Sequence, residues 1–176
     1  MKKTIACLST FAGLAAIVWA QAGQPAKDQA ALAGLDKLKQ LAGDWVMVKS
    51  DGKTGEEVAV SYRVIAAGSA VLERLFPGSD HEMVTVYHQD GKDLVLTHYC
   101  AQGNQPHMRA EPREGAPNKI VFKFVKATNM KNEGDAHMHD GSITFLDRDH
   151  IKCEWTMYWN GKLARVSVFD LVRKKG

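Results

Sequence analysis

Five side chains of types that often act in catalysis or ligand binding lie in neighbouring strand-like segments of this sequence: Glu73, Glu82, His98, Cys100 and Arg109. A carboxylate beside an imidazole can act as an acid–base pair, and a guanidinium compensates the charge of a carboxylate. Because an unpaired buried carboxylate is costly, such a cluster inside a protein either orients a ligand or forms a satisfied internal network. The sequence leaves both interpretations open.

Catalytic use of these groups is the weaker interpretation. Glu82 with His98 could transfer protons, and Cys100 with His98 has the residue types of a thiol nucleophile and its base. However, alternate residues of one strand point the same way without necessarily touching, and no sequence signature of an oxyanion hole accompanies them. We therefore predict no catalytic residues, and a small-molecule enzyme using Glu82 and His98 is the least favoured alternative.

The loop Gly103-Asn104-Gln105-Pro106 carries two neighbouring amides. Loops on a rigid scaffold often hold a ligand, but the same residues can also cap a tight turn. A tight turn does not require two amide side chains close to an arginine such as Arg109. We therefore include Asn104 and Gln105 in the predicted ligand site.

The segment His137-Met138-His139-Asp140 suggests a metal site. Two histidines at alternate positions of a strand share a face, and His, Met and carboxylate are all metal-ligand types. A metal centre needs further converging ligands and a supporting outer shell, which this segment alone does not supply. Exposed histidines are the favoured interpretation, and no metal is predicted.

Short strand-like segments separated by turn residues occupy most of the chain and position these groups. The predicted strands are Asp44–Lys49, Glu57–Ala66, Ala70–Phe76, Glu82–His88, Leu94–Ala101, Met108–Glu111, Lys119–Lys126, His139–Leu146, Ile151–Trp159 and Leu163–Val172. About ten strands without intervening helices are typical of an antiparallel sandwich or barrel. Before them, leucines three residues apart between Ala30 and Leu41 predict a short amphipathic helix.

The first twenty residues are typical of a secretory signal peptide. Lys2 and Lys3 precede an uncharged run, and Val18-Trp19-Ala20 ends it with a cleavage-like pattern. We therefore predict a signal peptide at 1–20, a linker at 21–29 and one domain at 30–176, in a secreted or periplasmic protein without a membrane span. Removing the two lysines lowers the formal net charge of +3 by two, so charge does not favour nucleic acid.

The Asn160-Gly161 pair predicts a two-residue hairpin turn between the last two strands. That turn places Trp159 opposite Lys162 and Trp155 opposite Val166, with Arg165 on the outer face. One apolar inner face is then expected, made of Ile151, Cys153, Trp155, Met157, Trp159, Ala164, Val166 and Val168.

The hairpin around Asp90-Gly91 has two possible registers. A two-residue turn groups Met83, Thr85, Tyr87, Leu94, Leu96, His98 and Cys100 on one face; a bulged turn groups Glu82, Val84, Val86, His88, Leu94, Leu96, His98 and Cys100. We prefer the bulged form because it brings four aliphatic residues together. It sends Glu82, His98 and Cys100 inward, and a four-residue connection at 77–80 would also turn Glu73 inward.

Cys100 and Cys153 remain after signal cleavage. Export permits a disulfide, but both residues lie inside strand patterns, and free cysteine often behaves as a small core residue. Two buried free thiols are the favoured prediction.

Gly43-Asp44-Trp45, after the leading helix, resembles the Gly-x-Trp entry of lipocalin-like (calycin) barrels. In that family the tryptophan closes one barrel end under a basic side chain from the last strand, and Arg165 or Arg173 could serve here. The chain from Leu38 to Arg173 also resembles a group of exported bacterial proteins with a lipocalin-like barrel, through Glu73 to Pro77, His81 to His88, Leu96 to Cys100 and Gly103 to Pro106.

The chain is more distantly similar to the nitrobindin-like haem barrels and the fatty-acid-binding proteins. The nitrobindin-like proteins bind haem iron through a histidine near the end of the chain, and residues 163–176 contain none. No cofactor is therefore predicted. A haem- or metal-binding barrel using His98 or the His137/His139 pair remains the alternative function.

The resulting prediction is an all-β, single antiparallel up-and-down barrel of about ten strands with a short N-terminal helix. We expect it to be an exported monomer that binds a small, mostly apolar ligand with one polar or acidic end. The predicted ligand-binding residues are Glu73, Glu82, His98, Cys100, Asn104, Gln105, Arg109, Trp155 and Met157.

Overall fold

A computed structural model describes residues 34–112, 114 and 116–175. The predicted signal peptide, the linker and the first residues of the predicted helix lie outside the described residues. No helix in the described part of the chain is long and apolar enough to cross a membrane.

Ten antiparallel strands form one closed barrel in which every strand pairs with its neighbours in the chain and the last pairs with the first. A short helix, α1 (34–39), precedes them. The strands are β1 (Gly43–Val48), β2 (Thr54–Ile65), β3 (Ala70–Leu75), β4 (Met83–Asp90), β5 (Asp93–Tyr99), β6 (Gln105–Ala110), β7 (Lys119–Thr128), β8 (His137–Phe145), β9 (His150–Trp159) and β10 (Lys162–Arg173). The predicted all-β up-and-down barrel with a leading helix is confirmed.

The helix and its following turn close one end of the barrel. Leu35, Leu38 and Leu41 are buried, as expected for the apolar stripe of an amphipathic helix. The buried Trp45 donates its indole N–H to the Leu41 carbonyl at 2.8 Å. Of the two arginines considered for this tryptophan, Arg173 is the one that covers it, with its guanidinium carbon 4.5 Å from the ring centroid.

The β4–β5 hairpin does not adopt the predicted bulged register. Asp90 pairs with Asp93 across Gly91-Lys92, and Thr85 lies opposite His98. The inner face therefore holds Thr85 and Tyr87, which are buried, in place of Val84. The prediction was wrong because it counted aliphatic residues, whereas a tyrosine buries a large apolar ring and satisfies its hydroxyl inside the barrel.

The β9–β10 hairpin begins as predicted, with Trp159 opposite Lys162, and then departs from the predicted pairing. An irregularity between Leu163 and Arg165 shifts the register by one residue, so that Arg165 lies opposite Met157. A bulge of this kind inserts one residue into one strand and reverses the orientation of those that follow. Val166 and Val168 are consequently 50% and 47% exposed, and their predicted inward orientation was wrong.

The same hairpin confirms part of the predicted inner face, and the prediction of an inward Ala164 was also wrong, because that residue is exposed. Ile151, Cys153 and Trp155 of β9 are buried in the core, but Trp159 at the hairpin tip is 61% exposed. Cys153 is a free thiol, as is the half-buried Cys100, so the prediction of two free thiols is confirmed.

Candidate functional site

The barrel encloses a cavity of about 580 Å³ that opens near the β9–β10 hairpin and the β5–β6 loop. Five of the predicted site residues line it: Glu73, His98, Cys100, Trp155 and Met157. Much of the remaining wall is apolar and rich in sulfur, with Leu75, Met83, Met138 and Phe169 among its residues. An apolar cavity with a few convergent polar groups is the usual form of a small-molecule site.

A larger groove of about 1120 Å³ lies against β2 and the β3–β4 connection. It shares Phe76 and His81 with the cavity, but Glu73 and His98 do not line it. The convergent polar groups therefore favour the internal cavity as the candidate site.

Glu73 stands at the polar end of the cavity and is 1% exposed. Its strand partners are Tyr62 of β2 and Thr85 of β4. The hydroxyl of Tyr62 donates to Oε1 at 2.7 Å, and that of Tyr87 donates to Oε2 at 2.8 Å. A buried carboxylate needs such donors because it has lost its hydration.

These contacts act on the pKa of Glu73 in opposite directions. Burial raises the pKa, while hydrogen bonds from Tyr62, Thr85 and Tyr87 lower it, and the net shift is upward. Burial, followed by the nearby Glu73 charge, raises the pKa values of both tyrosines. Tyr62 and Tyr87 therefore remain neutral hydrogen-bond donors at physiological pH.

His98 lies beside this network and faces the cavity from β5. Its Nδ1 atom is 3.0 Å from the Thr85 hydroxyl oxygen, and its buried Nε2 atom has no hydrogen-bond partner. Burial lowers the pKa of His98 to about 4, so the ring is neutral at physiological pH.

Thr85 contacts only the Nδ1 atom of this imidazole. A hydroxyl can donate to that nitrogen or accept from it, so the direction of this hydrogen bond depends on the tautomer of the ring. In either tautomer, Nε2 is a buried polar atom without a hydrogen-bond partner.

The mouth of the cavity carries a second set of polar groups. Burial raises the pKa of Cys100, although the backbone amides of Gln102 and Ala101 and the charge of Arg165 lower it, and the net shift is upward. Cys100 is thus a thiol at neutral pH. Arg165 lines the cavity and makes none of the ion pairs found among the described residues.

Glu82 and Arg109 do not lie in the cavity, contrary to the prediction. Glu82 precedes β4 and accepts from Arg74 Nε at 2.6 Å and Nη2 at 3.0 Å, and these hydrogen bonds lead the lowering of its pKa. Arg109 pairs with Asp93, with Nε to Oδ2 at 3.5 Å, on the outer face. The internal network that was one of the two interpretations of this cluster is therefore not formed by Glu82, His98 and Arg109.

Asn104 and Gln105 connect loops at the same end of the barrel. The buried Asn104 donates to the Ala136 carbonyl at 2.8 Å, while its Oδ1 has no partner. Gln105 donates to the Gly103 carbonyl and accepts from Thr128. Neither amide lines the cavity, so their observed role is to hold the loops around the mouth.

His137 and His139 form a cluster outside the cavity. His137 Nε2 lies 3.1 Å from His139 Nδ1, and His139 is stacked between Phe124 and Tyr158. Within the described residues, no group of three or more His, Cys, Asp or Glu side chains could hold a metal ion.

Sequence reasoning missed Tyr62, Thr85, Tyr87 and Arg165. The two-residue turn considered for the β4–β5 hairpin places Thr85 and Tyr87 on the same face as His98. The sequence therefore contained the information needed to find these two residues. The position of Arg165 at the cavity mouth depends on the bulge, and the regular alternation of residues does not predict that bulge.

No model of a known protein family matches this chain, and no curated protein matches it. Fold and cavity together place it in a structural class: closed ten-stranded antiparallel barrels whose interior combines an apolar wall with a buried polar network.

Proposed function

We propose that this protein is an exported lipocalin-like binding protein that holds a small, mostly apolar molecule inside its barrel. The observation that carries the proposal is the buried, unpartnered Nε2 of His98 on the cavity wall. With the ring protonated at Nδ1, Nε2 is an acceptor that a ligand hydroxyl or N–H group would satisfy. The charge pattern of residues 1–20, which are typical of a signal peptide, supports the proposal of export.

The proposed ligand presents a hydrogen-bond donor to Nε2 of His98. Glu73 receives hydroxyl protons on both of its oxygens. In the tautomer that we propose, Thr85 accepts from Nδ1–H of His98 and Nε2 is left as an acceptor. An unsatisfied buried polar atom costs about 1–3 kcal/mol. A donor on the ligand removes this cost, whereas a ligand with only acceptors does not.

The apolar wall would supply most of the affinity. Met83, Met138 and Met157 have flexible, polarizable side chains that adapt to irregular shapes, and Trp155 adds a large aromatic surface. This lining favours a molecule with an alkyl or aromatic body.

Native mass spectrometry of gently purified mature protein tests the proposal directly, because a retained ligand would be observed by its mass. Affinity for a long-chain alcohol and for its methyl ether would then be compared. We expect the alcohol to bind about tenfold more tightly, the ratio that corresponds to one satisfied acceptor.

The His98→Phe variant should lose this preference while still binding the ether. Glu82→Gln is the matched control, because Glu82 is paired with Arg74 outside the cavity, and it should keep the preference. Failure of the purified protein to bind any of these compounds would contradict the binding function, and equal affinities in the wild type would contradict the role of His98.

A second candidate function is haem binding, which the same unpartnered imidazole nitrogen favours. The Nδ1 atom of His98 is held by Thr85, as the second nitrogen of a metal-binding histidine usually is, and thioethers on the cavity wall are soft ligands. These residues fit a haem group, whose iron His98 would hold. Adding haem to the purified protein should sharpen and shift the Soret band relative to that of free haem, and His98→Phe should abolish the shift. An unchanged spectrum of free haem would exclude this candidate.

A further inference from the structure

We propose that Arg165 binds the anionic head group of the ligand at the mouth of the cavity, so that the natural ligand is an amphipathic anion. This inference rests on the proposed binding function and names the chemical class of the ligand.

The β10 bulge places Arg165 at the mouth of the cavity, where it is also exposed to solvent. Without the irregularity between Leu163 and Arg165, strand alternation would place Arg165 outside and Val166 inside, whereas in the structure Arg165 lies opposite the inward-facing Met157. Bulges often occur beside functional sites, where they re-aim a side chain.

The same bulge also sets the orientation of the rest of β10. It turns Phe169 and Leu171 toward the core, while Val166 and Val168 face outward and are about half exposed. Burial of Phe169 and Leu171 accounts for the bulge, and its consequence at the mouth is that a cation lies at the edge of an apolar cavity.

The charge of Arg165 has no counterion on the cavity wall. Glu73, the one carboxylate among the lining residues, already accepts hydrogen bonds from Tyr62 and Tyr87 at the polar end. Arg165 makes no salt bridge to any described residue. Its planar fork of donors suits a carboxylate, a sulfate or a phosphate.

The two ends of the cavity therefore define a ligand with two polar ends. An anionic oxygen group would meet Arg165, an alkyl body would lie along Met157 and Trp155, and a hydroxyl or N–H group would reach His98. Hydroxylated fatty acids and their sulfate or phosphate counterparts have this chemistry.

Calorimetric titration of four probes tests this inference: laurate, dodecanol, dodecyl sulfate and ω-hydroxylaurate. Each probe is titrated into the wild type and into the variants Arg165→Gln and Lys162→Gln. Lys162 is a cation of the same hairpin that does not line the cavity, so its variant controls for net charge. We expect Arg165→Gln to weaken laurate binding about tenfold or more and to leave the affinity for dodecanol unchanged. The control variant Lys162→Gln should retain the affinity for laurate. The relative affinities of laurate and dodecyl sulfate identify the preferred head group.

A charge-reversed variant provides an independent test. Arg165→Glu should reject laurate and gain affinity for dodecylamine, which an unfolded variant could not do. If dodecanol and laurate bind the wild type equally and Arg165→Gln changes neither, the role of Arg165 is wrong while the binding function stands. If none of the probes binds the wild type, the binding function fails and this inference fails with it.

Discussion

Replacing His98 with glutamine should flatten the acid side of the pH–stability profile. Burial lowers the pKa of His98 from its usual value of 6.5 to about 4 in the folded protein. Above the usual value the ring is neutral in both folded and unfolded chains, and its titration contributes nothing. As the pH falls below that value, the unfolded chain binds a proton that the folded chain does not, so stability falls with pH.

The magnitude follows from the two pKa values. The pKa of His98 is 6.5 in the unfolded chain and about 4 in the folded protein. Proton linkage then predicts that this residue alone lowers the unfolding free energy of the wild type by about 2 kcal/mol between neutral pH and about pH 5. His98→Gln removes that loss. The raised pKa of Glu73 acts in the opposite direction, because its contribution is present at low pH and lost as the pH rises, and it remains in both proteins.

Urea unfolding of the wild type and the variant at the two pH values measures the difference directly. The variant is expected to have the shallower dependence whatever its absolute stability, because its other histidines are shared with the wild type. Nitrogen NMR of the imidazole should also show Nδ1 protonated and Nε2 bare at neutral pH. Parallel losses of stability in the two proteins, or a His98 ring that becomes charged near pH 6.5, would refute the assignment of a buried neutral histidine.

Two further predictions concern packing inside and at the closed end of the barrel. A Cβ atom at Gly141 would lie 2.1 Å from two ring atoms of Trp155. Gly141→Ala should therefore destabilise the protein by about 1–3 kcal/mol and change the near-UV circular dichroism of the tryptophan as the indole moves into the cavity. The control Gly55→Ala meets only ordinary contacts and should leave that signal unchanged. Arg173 stacks on Trp45 and donates to the Ala42 carbonyl at 2.8 Å. Arg173→Met should therefore lower the free energy of unfolding, measured by urea titration, by about 2–4 kcal/mol. An unchanged midpoint of urea unfolding would show that the covered tryptophan does not depend on the arginine.

The sequence was sufficient to predict the ten strands, their order and the leading helix. These features depend on local signals: alternation of apolar and polar residues, turn residues between strands, and leucines spaced along the first helix. The inward placement of Glu73, His98, Cys100, Trp155 and Met157 was also correctly inferred, although the register used for part of that inference was wrong.

The polar network of the site could not be derived from the alternation of residues alone. A strand has the same two-residue period whichever way it is offset against its neighbour, so the choice between Val84 and Thr85 as inner residues depends on what they meet across the barrel. In the structure Tyr87 lies on the inner face with Thr85 and donates its hydroxyl to the buried carboxylate of Glu73, a contact that the other register would not allow.

The sequence by itself thus determined the number and order of the strands and the type of fold, because those follow from contacts near in the chain. Only the tertiary structure decided that Glu82 and Arg109 pair outside, that His98 keeps an unpartnered nitrogen in the cavity, and that a bulge places Arg165 at the cavity mouth. Each of these outcomes depends on the offset between paired strands and on satisfying buried polar atoms, and both are properties of the closed barrel as a whole.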